Sequence, residues 1–474
     1  MTKCVFISAD HGLALIYFLQ SDVIDTLIEG GTKVVLLTAG SLRDKISGMF
    51  ARPGLVIEDL RLDAAERYAR SEKGDFQWWL NFFRRAGPSS KMNLETVNNY
   101  VHWVETEATG MRRRIFPLVK AGVWLLRHSR LARKALLAMQ NRFTPSIYAD
   151  LFEKYQPSLV IGSTPGWRLD RYLLREAAAQ GIPTAAIVQG WDNPSSHALP
   201  GASVDWITCW SEPQKQELIL GSDWSPERIH IGGIPSYDGY FERKWLMSKE
   251  DYFRLHALDE NKKLLGYACS FVTYSPNIQN IEAIIDLMHS GRLAEPCQLL
   301  VRLHPNHFTE VKRWAREREQ IRSLVARYDD VHLVEPVPLG KEFGYYSGED
   351  MPEKTSMMAY SDIFLTVYST MVVEASIHER PIISVTIDSE TGWPGQYSLK
   401  LTEIGKWPTH SRFRESGAGI VVSDEEALCD AINQYLVNPD VDQKAQHDFI
   451  EQECTFMDGS AGRRTGEFFL SLIQ

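Results

Sequence analysis

The sequence predicts an α/β protein of two parallel-sheet domains facing each other across a cleft, with a helical insertion in the first. Three observations predict it. At 474 residues the chain is too long for a single hydrophobic core. Short β-rich apolar runs alternate with helical patterns, the signature of parallel strands joined by crossover helices. The alternation breaks once, at "IHIGGIPSYDGYFERK", and starts afresh at Lys262.

Taken in order, "KCVFISA", "KVVLLTA", "SLVIGST", "TAAIVQG" and "VDWITCWS" read as buried strands of the first domain. "WRLDRYLLREAAAQG" is a helix between two of them, ending on Gly181. In the second half "KLLGYACS", "CQLLVRLHP", "VHLVEP", "DIFLTVYS", "PIISVTI" and "GIVVS" are strands, with "HFTEVKRWAREREQIRSLVARY" a helix starting near Phe308. The expected division is 1–235, 236–455 and a last amphipathic helix, 456–474, packing back on the first domain.

Residues 60–145 depart from the alternation and read as helical, aromatic and basic. No acidic residue lies between Glu107 and Asp150, an interval that holds Arg112, Arg113, Arg114, Lys120, Arg127, Arg130, Arg133, Lys134 and Arg142. Interleaved with Trp, Phe and Leu, these cations suit an anionic membrane surface, and equally a solvated helical face or an oligomer contact.

Composition narrows the function. A net charge of -10 argues against nucleic-acid binding. Six scattered cysteines without a C-x-x-C pair fit reduced thiols rather than structural zinc. The apolar start "CVFISADHGLALIYFL" is cut by Asp10, His11 and Gly12, so neither a signal peptide nor a membrane span is expected there. H-E-x-x-H, P-loop and G-x-S-x-G patterns are missing, no G-x-G-x-x-G follows the first strand, and the only D-x-D follows Asn438-Pro439 as a helix start. Neither metal nor cofactor is expected.

Ligands of open α/β sheets bind beyond the carboxyl ends of the strands, so the residues there are the candidates. In the first half these are Asp10, His11 and Gly12, then Gln189, Trp191, Asp192 and Asn193. A general base from the Asp10-His11 loop could take a proton from an attacking hydroxyl, and His11 suits neutral pH better than Asp10. The plain alternative is a strand-to-helix turn capped by Asp10. In the second half the candidates are Ser270, Arg302, His304, Tyr368, Ser369, Thr370 and Glu374. Arg302 and His304 share one face of their strand and could both meet a phosphate. Ser369 and Thr370 open a short helix, where free N–H groups and the helix dipole favour an anion, and Glu374 could meet ribose hydroxyls. Simple capping and a structural histidine are the competing readings.

"VRLHP" followed by "YSDIFLTVYSTMVVEASIHERPIIS" resembles the nucleotide-binding half of GT-B glycosyltransferases. The nearest likeness is to CDP-glycerol glycerophosphotransferase-like and bacterial polysaccharide transferases with an HP motif and a later Ser/Thr motif. The W-D-N segment and the G-x-P-x-x-D element Gly233, Ile234, Pro235 and Asp238 resemble the same group. The resemblance implies two Rossmann-like domains, donor nucleotide on the second, and metal-independent inverting transfer. It places His304 on the donor phosphate with Ser369 and Thr370, and Glu374 on the ribose. Many glycerophosphotransferase-like members carry His-Gly where this chain has Gln189-Gly190, which favours a sugar transferase using the Asp10-His11 loop.

The expected function is therefore transfer of a sugar from a nucleotide-sugar donor to a glycan or lipid-linked acceptor in bacterial surface polysaccharide synthesis. The expected location is cytoplasmic, with peripheral contact to the inner membrane face through segment 111–142. The alternatives are a glycerophosphotransferase-like polymer transferase, a non-hydrolysing nucleotide-sugar 2-epimerase, and a non-catalytic nucleotide-sugar-binding subunit.

Overall fold

The computed structural model describes residues 3–270, 276–337, 348–388 and 399–473. They fall into two compact units, residues 1–238 with 454–474, and residues 239–453.

The first unit is built on a seven-stranded sheet of β1 (Cys4–Ala9), β2 (Lys33–Thr38), β3 (Leu55–Asp59), β4 (Leu159–Gly162), β5 (Thr184–Ile187), β6 (Trp206–Cys209) and β7 (Ile229–Ile231). Every pairing is parallel and the order is β3-β2-β1-β4-β5-β6-β7. β1 lies fully buried in the middle, as an uninterrupted apolar run should in a sheet covered on both faces. Phe6, Val35 and Val160 pack there with Phe152, Tyr172 and Leu174 of the covering helices. β3 is the strand the apolar pattern misses: it is an edge, and only Ile57 of its five residues is buried.

The basic, aromatic region is helical as expected, in five helices: Leu62–Ser71, Gly74–Ala86, Glu95–Glu107, Gly110–His128 and Arg130–Asn141. The second and fourth share a small core of Phe82, Ala86, Phe116, Val119 and Val123, with Tyr100, Val101 and Val104 of the third packed against it. The terminal helix Ala461–Ser471 belongs to this unit. Asp238 anchors it, its carboxylate accepting from the N–H groups of Ala461 at 3.0 Å and Gly462 at 2.7 Å. Gly233 is required nearby: its φ is +84°, and a Cβ there would sit 3.0 Å from that of Ala461.

The second unit has a six-stranded parallel sheet of β8 (Lys263–Ala268), β9 (Cys297–Arg302), β10 (Val331–Val334), β11 (Ile363–Thr366), β12 (Ile382–Val385) and β13 (Ile420–Val422), in the order β10-β9-β8-β11-β12-β13. Leu265, Leu299, Leu365 and Ile383 pack against Ile281, Ile284, Ile321 and Ile432. In both sheets the first strand of the series is flanked by strands reached in opposite directions. Each unit therefore has a topological switch point, at β1 and at β8, where a crevice opens beyond the strand ends.

Candidate functional site

At the first switch point the loops after β1 and β4 meet. Ser163 Oγ donates to Asp10 Oδ1 at 3.0 Å, and Arg168 Nε donates to Asp10 Oδ2 at 2.8 Å. His11 Nδ1 lies 2.9 Å from Asp10 Oδ1, in ion-pair contact though out of line for a hydrogen bond. Burial alone would raise the Asp10 carboxyl, but Arg168 and His11 outweigh it and hold it well below the usual range. Burial lowers the His11 pKa while the Asp10 charge opposes that fall. At neutral pH the pair is thus a carboxylate beside an uncharged imidazole, with the carboxylate favouring the proton on Nδ1. That leaves Nε2 as the basic atom. His11 is 5% exposed, and its Nε2 has no hydrogen-bond partner.

Gln189 lies within hydrogen-bonding reach of the His11 ring and raises its pKa, although the contact is out of line for a bond and Gln189 Oε1 is otherwise buried without a partner. Two orphaned acceptors side by side call for a donor, and a substrate hydroxyl is one. The position where related transferases are expected to carry histidine therefore adjoins the histidine this chain does have. Asp170 completes the floor: its carboxylate accepts from Thr164 N at 2.9 Å and from Thr164 Oγ1. Burial and then the charge of Asp10 push its pKa up to about 7.

The W-D-N segment builds this loop rather than lining it. Trp191 is buried, Asn193 Oδ1 accepts from Gly190 N at 2.9 Å, and Gln214 Nε2 donates to the carbonyls of Gly190 and Trp191. Asp192 is half-buried, and Gly12 opens the helix Gly12–Leu19.

At the second switch point β8 stands between β9 and β11, with Tyr267 in register with both Val301 and Leu365. The chain segments after these strands carry Ser270, His304 and the Tyr368-Ser369-Thr370 turn. His304 Nδ1 accepts from Asn306 N at 3.1 Å, capping the 3-10 turn Pro305–Phe308, so a neutral ring carries its proton on Nε2. Burial, together with the positive charges of His307, Arg302 and Lys354, brings its pKa down to about 3. It is an uncharged N–H donor throughout the physiological range. The expected helix at Phe308 is this turn, and the helix proper runs Lys312–Val325.

Two expectations change here. Arg302 is buried and ion-paired with Asp350 and Glu353. A guanidinium already satisfied by two carboxylates anchors that segment and is not aimed at a phosphate. Glu374 is likewise buried, accepting from Tyr240 Oη at 2.5 Å and pairing with Lys354, so it holds that lysine rather than standing open to a ribose. Lys354 lies in the largely buried helix Met351–Tyr360, and no local pattern marks it.

The remaining residues keep their expected positions. Ser369 Oγ accepts from Met371 N at 3.2 Å, and Thr370 is the N-cap of the helix Met371–Ile377 without a side-chain cap bond. Tyr368 holds the left-handed φ of +39°, rare for an aromatic residue and held here against His410, 4.7 Å between rings. Ser270 Oγ donates to the Val367 carbonyl at 3.0 Å, tying the ends of β8 and β11. Among the described residues no group of three His, Cys, Asp or Glu is placed to hold a metal ion. None of the described helices is long and apolar enough to cross a membrane.

The sequence profile of the CDP-glycerol:poly(glycerophosphate) glycerophosphotransferase family matches residues 221–470. That span includes every candidate of the second unit and the Gly233–Asp238 element, and stops short of Asp10, His11 and Gln189. No curated protein matches the chain significantly. Among solved structures, UDP-GlcNAc 2-epimerase from Neisseria meningitidis bound to UDP-GlcNAc is similar over 99% of this chain and 100% of its own, with TM-score 0.53 and 13% identity. A putative UDP-N-acetylglucosamine 2-epimerase from Listeria monocytogenes covers 98% and 94%, with TM-score 0.51 and 12% identity. The S. aureus MnaA–UDP structure covers 99% and 97%, with TM-score 0.52 and 12% identity. At such identities the likeness is one of fold, two Rossmann-like domains.

Proposed function

We propose, from the premise that this chain belongs to the CDP-glycerol:poly(glycerophosphate) glycerophosphotransferase family, that it transfers a sugar from a nucleotide-sugar donor to a hydroxyl of a glycan or lipid-linked acceptor. The transfer is a single inverting displacement and needs no metal. The observation that carries this reading is the Asp10–His11 pair, a buried carboxylate orienting an imidazole whose Nε2 is unpartnered beside Gln189 Oε1.

The acceptor hydroxyl donates to His11 Nε2, and its oxygen attacks the anomeric carbon as the proton passes to the ring. Asp10, ionised and fixed by Arg168 and Ser163, stabilises the imidazolium that forms. The bond from the anomeric carbon to the diphosphate oxygen breaks, and the nucleoside diphosphate leaves with both electrons. The donor diphosphate is assigned to the His304 Nε2–H and the Ser369-Thr370 turn of the second unit.

Membership of a glycerophosphotransferase family supports a second reading, in which the attacked atom is the phosphorus of CDP-glycerol. The released nucleotide separates the two. Incubation of the protein and a lipid-linked acceptor with a panel of nucleotide-sugars and CDP-glycerol is expected to release a nucleoside diphosphate. Release of CMP from CDP-glycerol alone would replace the first reading by the second. A free epimerised sugar appearing without acceptor would indicate an epimerase, and binding without turnover a non-catalytic subunit.

Contact with the inner face of a membrane fits the same reading. Met111, Leu118 and Leu125 recur every seven residues on the helix Gly110–His128, and Trp124 stands beside them; Leu118 is 76% and Trp124 62% exposed. Arg113, Arg114 and Lys134 are exposed around this stripe. Binding to vesicles containing phosphatidylglycerol, weakened by salt and by L118A/W124A, is the expected result. Equal binding by the double variant would remove this surface from the account.

A further inference from the structure

A cavity of about 670 Å³ lies within the first unit, walled by the helices Leu62–Ser71, Gly74–Ala86 and Arg130–Asn141 and by the start of Arg171–Ala179. It belongs to neither strand-end crevice. Its distinguishing feature is positive charge without counter-charge. Arg171 reaches only the amide oxygen of Asn81, at 3.3 Å, and stacks over Tyr172. Arg175, one turn on and 4% exposed, spends its donors on the carbonyls of Gly201 and Phe143. Behind the wall Arg84 is buried too, donating to the same Asn81 oxygen at 3.0 Å and to the carbonyls of His197 and Leu199.

Three guanidiniums thus donate to neutral acceptors, and among the described residues none of them has a carboxylate in ion-pair range. The rim acids do not compensate. Glu66 is paired with Arg70 at 2.5 Å and Asp75 with Arg112 at 3.0 Å, so they balance other cations. The crowding is strong enough that burial and then Arg171 bring both Arg84 and Arg175 down to about 9. Guanidinium is the side chain that recognises phosphoryl oxygens in pairs, and Trp78 and Tyr172 add aromatic surface to the lining.

We propose that this cavity is a second ligand site, which binds a phosphoryl-bearing anion through Arg171 with support from Arg112. The ligand's charge supplies what the fold leaves missing around Arg171, Arg175 and Arg84. The same segment joins this site to the Asp10–His11 pair, because Arg168 grips Asp10 three residues before Arg171 faces the cavity.

The test is binding, not turnover, so it stands apart from the proposed transfer reaction. Full-length protein is titrated calorimetrically at constant ionic strength with inorganic pyrophosphate and, separately, with a glycerophosphate trimer. The expected result is saturable binding of at least one probe that weakens about tenfold or more in R171Q, less in R112Q, and persists in H304A. Dependence with the trimer alone assigns the site to a phosphodiester chain, and with pyrophosphate alone to a small free oligoanion. R112Q, at a half-exposed position, gives a readout even if R171Q folds poorly. No saturable binding of either probe, or equal affinity in both arginine variants, overturns the proposal.

Discussion

Replacing Asp10 by Asn tests the dyad most directly, because it alters charge and almost nothing else. The carboxylate accepts from Ser163 and Arg168 and touches His11, and an asparagine Oδ1 can keep the Ser163 bond. What disappears is the negative charge facing the imidazolium that forms in the transition state. Two unit charges 4 Å apart at an effective dielectric of about 20 attract by about 4 kcal/mol. Arg168 already offsets part of this, although its side chain is 40% exposed and solvent screens it. A net loss of about 3–4 kcal/mol corresponds to a fall in kcat of about 10²–10³. Folding loses the charge-assisted hydrogen bond from Arg168 to a buried carboxylate, about 1.5–3 kcal/mol, so unfolding of D10N is measured alongside its kinetics. The pH profile supplies a second readout. Asp10 raises the His11 pKa against the larger effect of burial, so its removal lowers that pKa further. The acid limb of kcat, where the base becomes protonated, must then move to lower pH in D10N. Steady-state transfer rates between pH 4.5 and 8 measure both quantities. A kcat within twofold of wild type, or a limb that stays put or moves up, would refute the assignment of His11 as base and Asp10 as its partner.

The other outcomes are simpler. H304A should lose transfer activity by about 10²-fold and, having lost the cap on Asn306 N, about 1 kcal/mol of stability; because the ring is already neutral above about pH 3, the loss should not vary between pH 6 and 8. D238A leaves the N–H groups of Ala461 and Gly462 without their carboxylate and should cost about 3–5 kcal/mol in urea unfolding followed by tryptophan fluorescence, with D238N intermediate; a cost under about 1 kcal/mol would show that the terminal helix is held otherwise. Asp10 has a depressed folded pKa, so its stabilisation is present above the unfolded value of about 3.9 and fades as pH falls towards the lower folded value; D10N should therefore unfold with a shallower acid dependence than wild type. EDTA should leave transfer unchanged, and a loss restored by a divalent cation would remove metal independence from the mechanism.

The strands were legible wherever both faces of the sheet are covered, because β1, β9 and β11 then have to be continuous apolar runs. β3 escaped because an edge strand with one buried residue carries no such run. The candidate residues at the strand ends follow from topology and need no motif. Their partners are another matter: Arg168, Asp170 and Lys354 sit inside helical patterns and acquire their meaning only when a second segment arrives. The G-x-P-x-x-D element was legible as the joint, and the two units do divide at Asp238; what the pattern did not show is that Asp238 also seats the terminal helix.

Charge shows the same division most clearly. The run from Arg112 to Arg142 looks uniformly cationic because its neutralising acids are distant in sequence. Asp75 takes Arg112, Glu105 takes Lys120, and Asp223 takes Arg133 at 2.6 Å. The cations that stay exposed without such partners, Arg113, Arg114, Lys134 and Arg142, are the ones that can face a lipid surface. Arg84, Arg171 and Arg175 sit outside that run, and folding brings Arg84 and Arg171 onto one amide oxygen, with Arg175 one turn beyond Arg171 on backbone carbonyls. Local charge density therefore overstates the first surface and hides the second. What separates them is whether a carboxylate arrives from elsewhere in the chain, which only the assembled fold decides.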